Sequence, residues 1–115
     1  MLQIFKYKDI LELIEIEPQQ VKEWLDKDMA ILIDVREHQE LIRFSITGAI
    51  HNPMSAFDFD AVPSKTDKRL VFECAHGIRS RQIGEFLLQA NKVQTAYNMK
   101  GGVAAWAQAG LPGVG

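Results

Sequence analysis

Two short and nearly continuous apolar runs, Ala30–Val35 (AILIDV) and Leu70–Cys74 (LVFEC), constrain this chain more than any other feature. A strand with one wet face alternates apolar and polar residues. A strand that is apolar at almost every position is covered on both sides, as the strands of parallel sheets are. Helical patterns surround the two runs. Pro18 suits a first helical turn, where its missing N–H is no loss. Val21, Trp24, Leu25 and Met29 then share one helical face, and Lys22, Glu23, Asp26 and Lys27 the other. After the second run, Ser80–Ala90 predicts a helix with Ile83, Phe86, Leu87 and Ala90 inward.

The remaining elements are shorter. Residues 1–9 read as an N-terminal arm before a single domain over residues 10–115, and the partial alternation of Ile10–Ile16 suits an edge strand. Residues 36–43 are polar with helical character, 48–53 predict a short strand, 54–60 one turn of helix, and 62–69 a surface loop. Ala96–Met99 is another short strand, Gly101 and Gly102 open a last helix carrying Val103 and Trp106, and residues 110–113 (GLPG) stop it. Strands alternating with helices predict an α/β domain, an open and mainly parallel sheet flanked by helices on both faces.

Composition narrows the function. The chain has 115 residues, a net charge of -2 and one cysteine. The charge gives no reason to expect nucleic acid, and a lone cysteine makes no internal disulfide. Lys6, Lys8, Asp9, Glu12, Glu15 and Glu17 interrupt every apolar run near the start, so neither a signal peptide nor a membrane span is expected. The expected setting is soluble and cytoplasmic.

The lone cysteine ends the second apolar run. In open α/β sheets ligands bind beyond the carboxyl ends of strands, where helix N-termini also point. Residues 75–80 (AHGIRS) can therefore curl around the Cys74 sulfur with several N–H groups inward, a nest that binds anions. Such a setting lowers a thiol's pKa by about one unit or more from about 8.5. Gly77 suits the tight loop, Arg79 offers a planar fork of donors, and Ser80 suits an N-cap. The alternative is a buried structural cysteine before an ordinary turn.

These residues carry a resemblance. Cys74-Ala75-His76-Gly77-Ile78-Arg79-Ser80 matches the C-x-x-G-x-R-S pattern of the rhodaneses, and Asp34-Val35-Arg36-Glu37 matches their D-x-R-E signature. Gly48-Ala49-Ile50 with Asn52-Pro53 resembles their G-A-x-x-x-P segment, and Gly101 to Trp106 with Gly110-Leu111-Pro112 resembles their closing G-G-x-x-A-W…G-x-P. Four segments in this order make the chain similar to a single-domain rhodanese. Phe44, Ser45, Ile46 and Thr47 depart from the pattern before the G-A segment, which bears on the pocket rim rather than on the cysteine.

The resemblance implies an enzyme, a sulfurtransferase in which Cys74 is the nucleophile. It would take sulfur from thiosulfate or a persulfide donor, hold it as a persulfide, and pass it to cyanide, a small external thiol or a protein thiol. Ala75, His76, Gly77, Ile78, Arg79 and Ser80 would bind the substrate, with no metal and no organic cofactor. Rhodanese-like phosphatases and arsenate reductases have five residues between Cys and Arg, whereas four separate Cys74 from Arg79. A non-enzymatic sulfur-carrier or docking module is the other alternative. Asp34 and Arg36 are expected to pair with each other or with nearby backbone, supporting the pocket edge. His38 and His51 lack metal-ligand spacing. Trp24 and Trp106 read as packing, and Phe57 and Phe59 as either core or a rim for a partner.

Overall fold

The computed structural model describes residues 12–115 and turns both apolar runs into inner strands of one sheet. The arm expected for residues 1–9 and the first residues of the edge strand lie outside the described residues. Five strands follow in chain order: β1 (Glu12–Ile16), β2 (Ala30–Asp34), β3 (Ile50–His51), β4 (Arg69–Glu73) and β5 (Thr95–Met99). The helices are α1 (Pro18–Asp26), α2 (His38–Arg43), α3 (Ile78–Gln89) and α4 (Gly102–Gln108). The sheet order is β1-β5-β4-β2-β3, and every adjacent pair is parallel.

β4 lies in the middle of the sheet, between β5 and β2. On one face Leu70 and Phe72 join Ile33, Ala96, and Ile83, Leu87 and Leu88 of α3. On the other, Val71 joins Leu32 and Met99, Val21 of α1, and Val103 and Trp106 of α4. A fully buried side chain the size of Phe72 contributes on the order of 2 kcal/mol in apolar transfer alone. The strand that delivers Cys74 is thus anchored from both sides, and its carboxyl end is held in place.

Several elements differ from expectation. α3 starts at Ile78, two residues before Ser80, because Gly77 takes φ 91° and serves as the N-cap. Ser80 is therefore inside the first turn rather than capping it. Phe86 is 51% exposed and Ala90 is exposed, whereas Gly84 and Leu88 complete the buried stripe with Ile83 and Leu87. The stripe is rotated because Gly84 admits Leu13, whose Cδ1 would stand 2.9 Å from an added Cβ. α1 ends at Asp26 and Asp28 takes φ 58°, so Met29 lies beyond the helix face and is 38% exposed.

The single turn expected over 54–60 is two 3-10 turns, Met54–Ala56 and Phe59–Ala61. Their Phe57 and Phe59 are partly buried against the α3-side core, and Phe59 meets Phe86 edge-on at 6.0 Å. Trp106 is 1% exposed and donates its Nε1–H to the Pro112 carbonyl. Trp24 is half-buried, tilted against Tyr97 with the Arg69 guanidinium 4.6 Å above its ring.

Candidate active site

β4 ends at Glu73, and the next residue, Cys74, is 1% exposed. The left-handed turn at Gly77 folds the chain back so that the first turn of α3 faces the sulfur. Sγ accepts from the Gly77 N–H at 3.1 Å and the Ser80 N–H at 3.3 Å, and the Ser80 hydroxyl oxygen lies 3.3 Å from it. The first N–H groups of a helix have no partner within it. The sulfur therefore stands where a capping side chain would, at the positive end of the α3 dipole.

The outer rim of the loop is tied down through its carbonyls. Cys74 O accepts from the Val103 N–H at 2.8 Å and Ala75 O from the Ala104 N–H at 3.0 Å. Gly77 O accepts from Asn98 Nδ2 at 2.9 Å. Carbonyl and N–H of one trans peptide unit point in opposite directions, so the N–H groups of Ala75, His76 and Ile78 turn away from these contacts. Burial pushes the Cys74 thiol up. The Ser80 side chain and the N–H groups of Ser80, His76 and Gly77 around the sulfur outweigh it and hold the thiol below its ordinary value.

Around this centre the expected site residues separate. Ala75 is half-buried, His76 is exposed and Ile78 is 64% exposed at the mouth of the loop. Arg79 points to α2 and donates two bonds to the Glu40 carboxylate, at 2.7 and 2.8 Å. Those bonds bring the Glu40 carboxyl down to about 2, against burial, which pushes it up; the Glu37 backbone and the charges of Arg79 and Arg36 add to the lowering. Both partners are one-third exposed, so the pair is worth about 1 kcal/mol at most. Glu40→Gln is expected to cost that much at neutral pH. Because Glu40 is held below its unfolded value, the difference should close as pH falls from about 4.5 toward 2. Urea unfolding of both proteins across that range checks it.

Asp34 and Arg36 are bound to each other behind the loop. Arg36 Nη2 meets Asp34 Oδ2 at 2.7 Å, and Nε meets the two carboxylate oxygens at 3.1 and 3.2 Å. Nη2 also donates to Phe44 O at 2.9 Å, which fixes the exit of α2. Opposite Asp34 in the β2–β4 register stands Glu73, 0% exposed, with no hydrogen-bond donor on either carboxyl oxygen. Burial and then the Asp34 charge push Glu73 well above the usual carboxylate range, and Arg36 opposes them.

Four polar residues of this region carried no motif. Asn98 and Glu15 touch the loop or its ties from β5 and β1, and Glu40 clasps Arg79 from α2. Glu73 had one visible signal, a charge inside the LVFEC run. Among the described residues no group of three or more His, Cys, Asp or Glu side chains is arranged to hold a metal ion. His51 instead meets the Arg36 carbonyl through Nε2 at 2.7 Å. A cavity of about 500 Å³ beside Lys68, Arg69, Lys92 and Tyr97 lies at the opposite end of the sheet from Cys74.

A thiol at the carboxyl end of a central parallel strand, ringed by N–H donors at a helix start, defines an α/β domain built around a candidate nucleophilic cysteine. The family model of the rhodanese-like domain matches residues 17–109. The chain belongs to the rhodanese-like domain family. It is 30% identical over 101 residues to the thiosulfate sulfurtransferase GlpE of Glaesserella parasuis, covering 85% of this chain and 90% of that protein. It is 34% identical over 101 residues to an uncharacterized protein of Synechocystis, covering 88% of this chain but 56% of the relative, little more than half its length. A crystal structure of a rhodanese-related protein from Thermoplasma volcanium superposes with a TM-score of 0.72 at 31% identity, covering 88% of this chain and 97% of that one. No helix among the described residues is long and apolar enough to cross a membrane.

Proposed function

We propose that this domain, over residues 10–115, is an enzyme that moves sulfane sulfur through a Cys74 persulfide. The observation that carries the reading is the cradle itself, in which the Gly77 and Ser80 N–H groups and the Ser80 hydroxyl surround a sulfur held below its ordinary pKa. Donors that favour a thiolate also favour the terminal sulfur anion of a persulfide. With thiosulfate, the thiolate's electron pair forms a new S–S bond to the outer sulfur. The donor's own S–S bond breaks, and its electron pair departs on sulfite. A thiolate or cyanide then attacks the outer sulfur of the persulfide, and Cys74 leaves as a thiolate.

Relatives named as thiosulfate sulfurtransferases support this substrate class. The four-residue spacing from Cys74 to Arg79 favours sulfur over phosphate or arsenate. With one cysteine in the sequence, the sulfur acceptor lies outside these 115 residues. A cytoplasmic setting suits a free reactive thiol, since reducing compartments keep thiols unpaired. The two displacements are written with the thiolate, the sulfur donor and the acceptor alone and call on neither a metal nor an organic cofactor.

Intact mass before and after incubation with thiosulfate, on wild type and Cys74→Ser, tests the reading. The expected result is a gain of one sulfur atom, removed by cyanide and absent from the variant. A relay module fed by a protein persulfide is the second reading, and the engagement of Arg79 with Glu40 favours it, because that guanidinium is already occupied. Sulfur uptake from a persulfide-bearing protein but not from thiosulfate selects the relay. Uptake from neither overturns both.

A further inference from the structure

Ser80 has one hydroxyl proton and two neighbours able to take it. Its Oγ lies 3.3 Å from the Cys74 sulfur and 2.5 Å from Asn98 Oδ1. Ser80 and Asn98 are both 0% exposed, so bulk water serves neither.

The Asn98 amide has one favourable orientation. Its Nδ2 donates to Gly77 O at 2.9 Å and to the two Glu15 carboxylate oxygens at 3.0 and 3.1 Å. Turned over, the amide would set its oxygen against three acceptors. Oδ1 therefore faces Ser80, and an amide oxygen carries no proton, so the proton in that contact is Ser80's.

We propose that Asn98 is a positioning residue that holds the Ser80 hydroxyl proton off the Cys74 sulfur, leaving the Ser80 oxygen as the acceptor for the thiol proton and the backbone N–H groups as the donors to the sulfur anion. The proposal rests on Cys74 being the nucleophile of the preceding section. In the thiol form every proton has a partner: Sγ–H donates to Oγ, and Oγ–H to Oδ1. When the thiol ionises, the hydroxyl has two choices. It stays on Asn98 and turns a lone pair toward the anion, or it swings to the sulfur and leaves two oxygens facing each other with no proton between them. Either choice costs the anion some stabilisation. The sulfur is then more basic, and so more nucleophilic as a thiolate, than its count of donors implies.

A double-mutant cycle on the resting protein tests this with no sulfur donor. Ser80→Ala, Asn98→Ala and the double variant are titrated by ultraviolet thiolate absorbance and by the pH dependence of iodoacetamide alkylation. Losing Asn98 also frees the Gly77 carbonyl, but that effect is common to both halves of the cycle. The Glu15–Arg81, Asp34–Arg36 and Glu40–Arg79 pairs, Glu73 and the exposed His76 are present in all four proteins and cancel.

The expected result is that Asn98→Ala shifts the ionisation constant toward thiolate about tenfold further when Ser80 is present than when it is alanine, the worth of one hydrogen bond to a charged group. Equal shifts in the two backgrounds, or coupling of the opposite sign, overturn the proposal. Should the double variant not fold, Ser80→Ala alone decides. A change in ionisation constant under about threefold is expected, and a tenfold loss of thiolate makes Ser80 a donor to sulfur and overturns the proposal. A protein that takes sulfur from no donor at all would still give this cycle, so failure of the sulfurtransferase reading is seen separately.

Discussion

Gly102→Ala is expected to lower sulfur uptake by Cys74 by about 100-fold or more and to cost about 2–4 kcal/mol of stability. Gly102 holds φ 65°, a left-handed conformation, and a Cβ there would stand 2.4 Å from Cys74 O, 2.5 Å from Ala75 O and 2.6 Å from Ala75 C. All three are backbone atoms, so no side chain can swing aside to make room. The same two carbonyls accept the Val103 and Ala104 N–H groups that turn the loop outward. Pushing them away rotates the peptide units that carry the Ala75 and His76 N–H groups and loosens the ring around the sulfur. Gly110→Ala is the control. It has φ 77° with nothing within 4 Å of the added carbon, so it carries the conformational cost of about 1–2 kcal/mol and no steric one. Urea unfolding and the pH dependence of alkylation on both variants separate the two effects. If Gly102→Ala behaves like Gly110→Ala, α4 does not set the loop.

The second large effect lies one residue before the nucleophile. Glu73→Gln is expected to make the protein progressively more stable relative to wild type as pH rises above about 4.5. Glu73 is fully buried with no hydrogen-bond donor on its carboxyl oxygens, and burial, the Asp34 charge and a hydrogen bond from the protonated carboxyl to Asp34 raise its pKa well above normal. A group with a raised folded-state pKa gives its full contribution below the unfolded value and loses it as pH climbs toward the folded one. Across that window the wild type should lose stability steadily through this group, at no more than about 1–2 kcal/mol per pH unit for one proton, while the glutamine protein does not. Glutamine keeps the shape and a donor toward the Asp34 carboxylate but cannot ionise, so the difference between the two proteins isolates the charge. Glu40 and the surface pairs contribute equally to both. Denaturation curves measured from pH 4.5 to 8 should diverge; parallel stability profiles would mean that Glu73 finds a partner for its charge.

The asymmetry between these residues says what a sequence of this kind discloses. The strand of Leu70–Glu73, the glycine at 77 and the helix after it are written in neighbouring residues, because apolar period and backbone freedom act over a few positions. The order of segments made the rhodanese-like fold legible as a resemblance, and the observed sheet and family match agree with it. Helix faces were less legible. Phe86 is as apolar as Leu88, yet it lies half outside, because Gly84 lets β1 approach and turns the helix. Nothing in residues 80–90 discloses how close a strand more than 60 positions earlier comes.

The proton-handling residues were decided only in three dimensions. Asn98 reaches Ser80 across 18 positions and Glu15 across 83, and Arg79 finds Glu40 across 39. Glu73 faces Asp34 because two parallel strands pair in one register. A hydrogen bond requires atoms within about 3 Å, and no local rule of composition or period carries that information between distant segments. The sequence alone determined that this chain is an α/β domain with its one thiol at a strand end, since those properties follow from adjacent side chains and a flexible glycine. Which groups surround that thiol, where its neighbours' protons lie, and which arginine is already taken were decided by the packing of distant strands, since only folding brings those atoms within bonding distance.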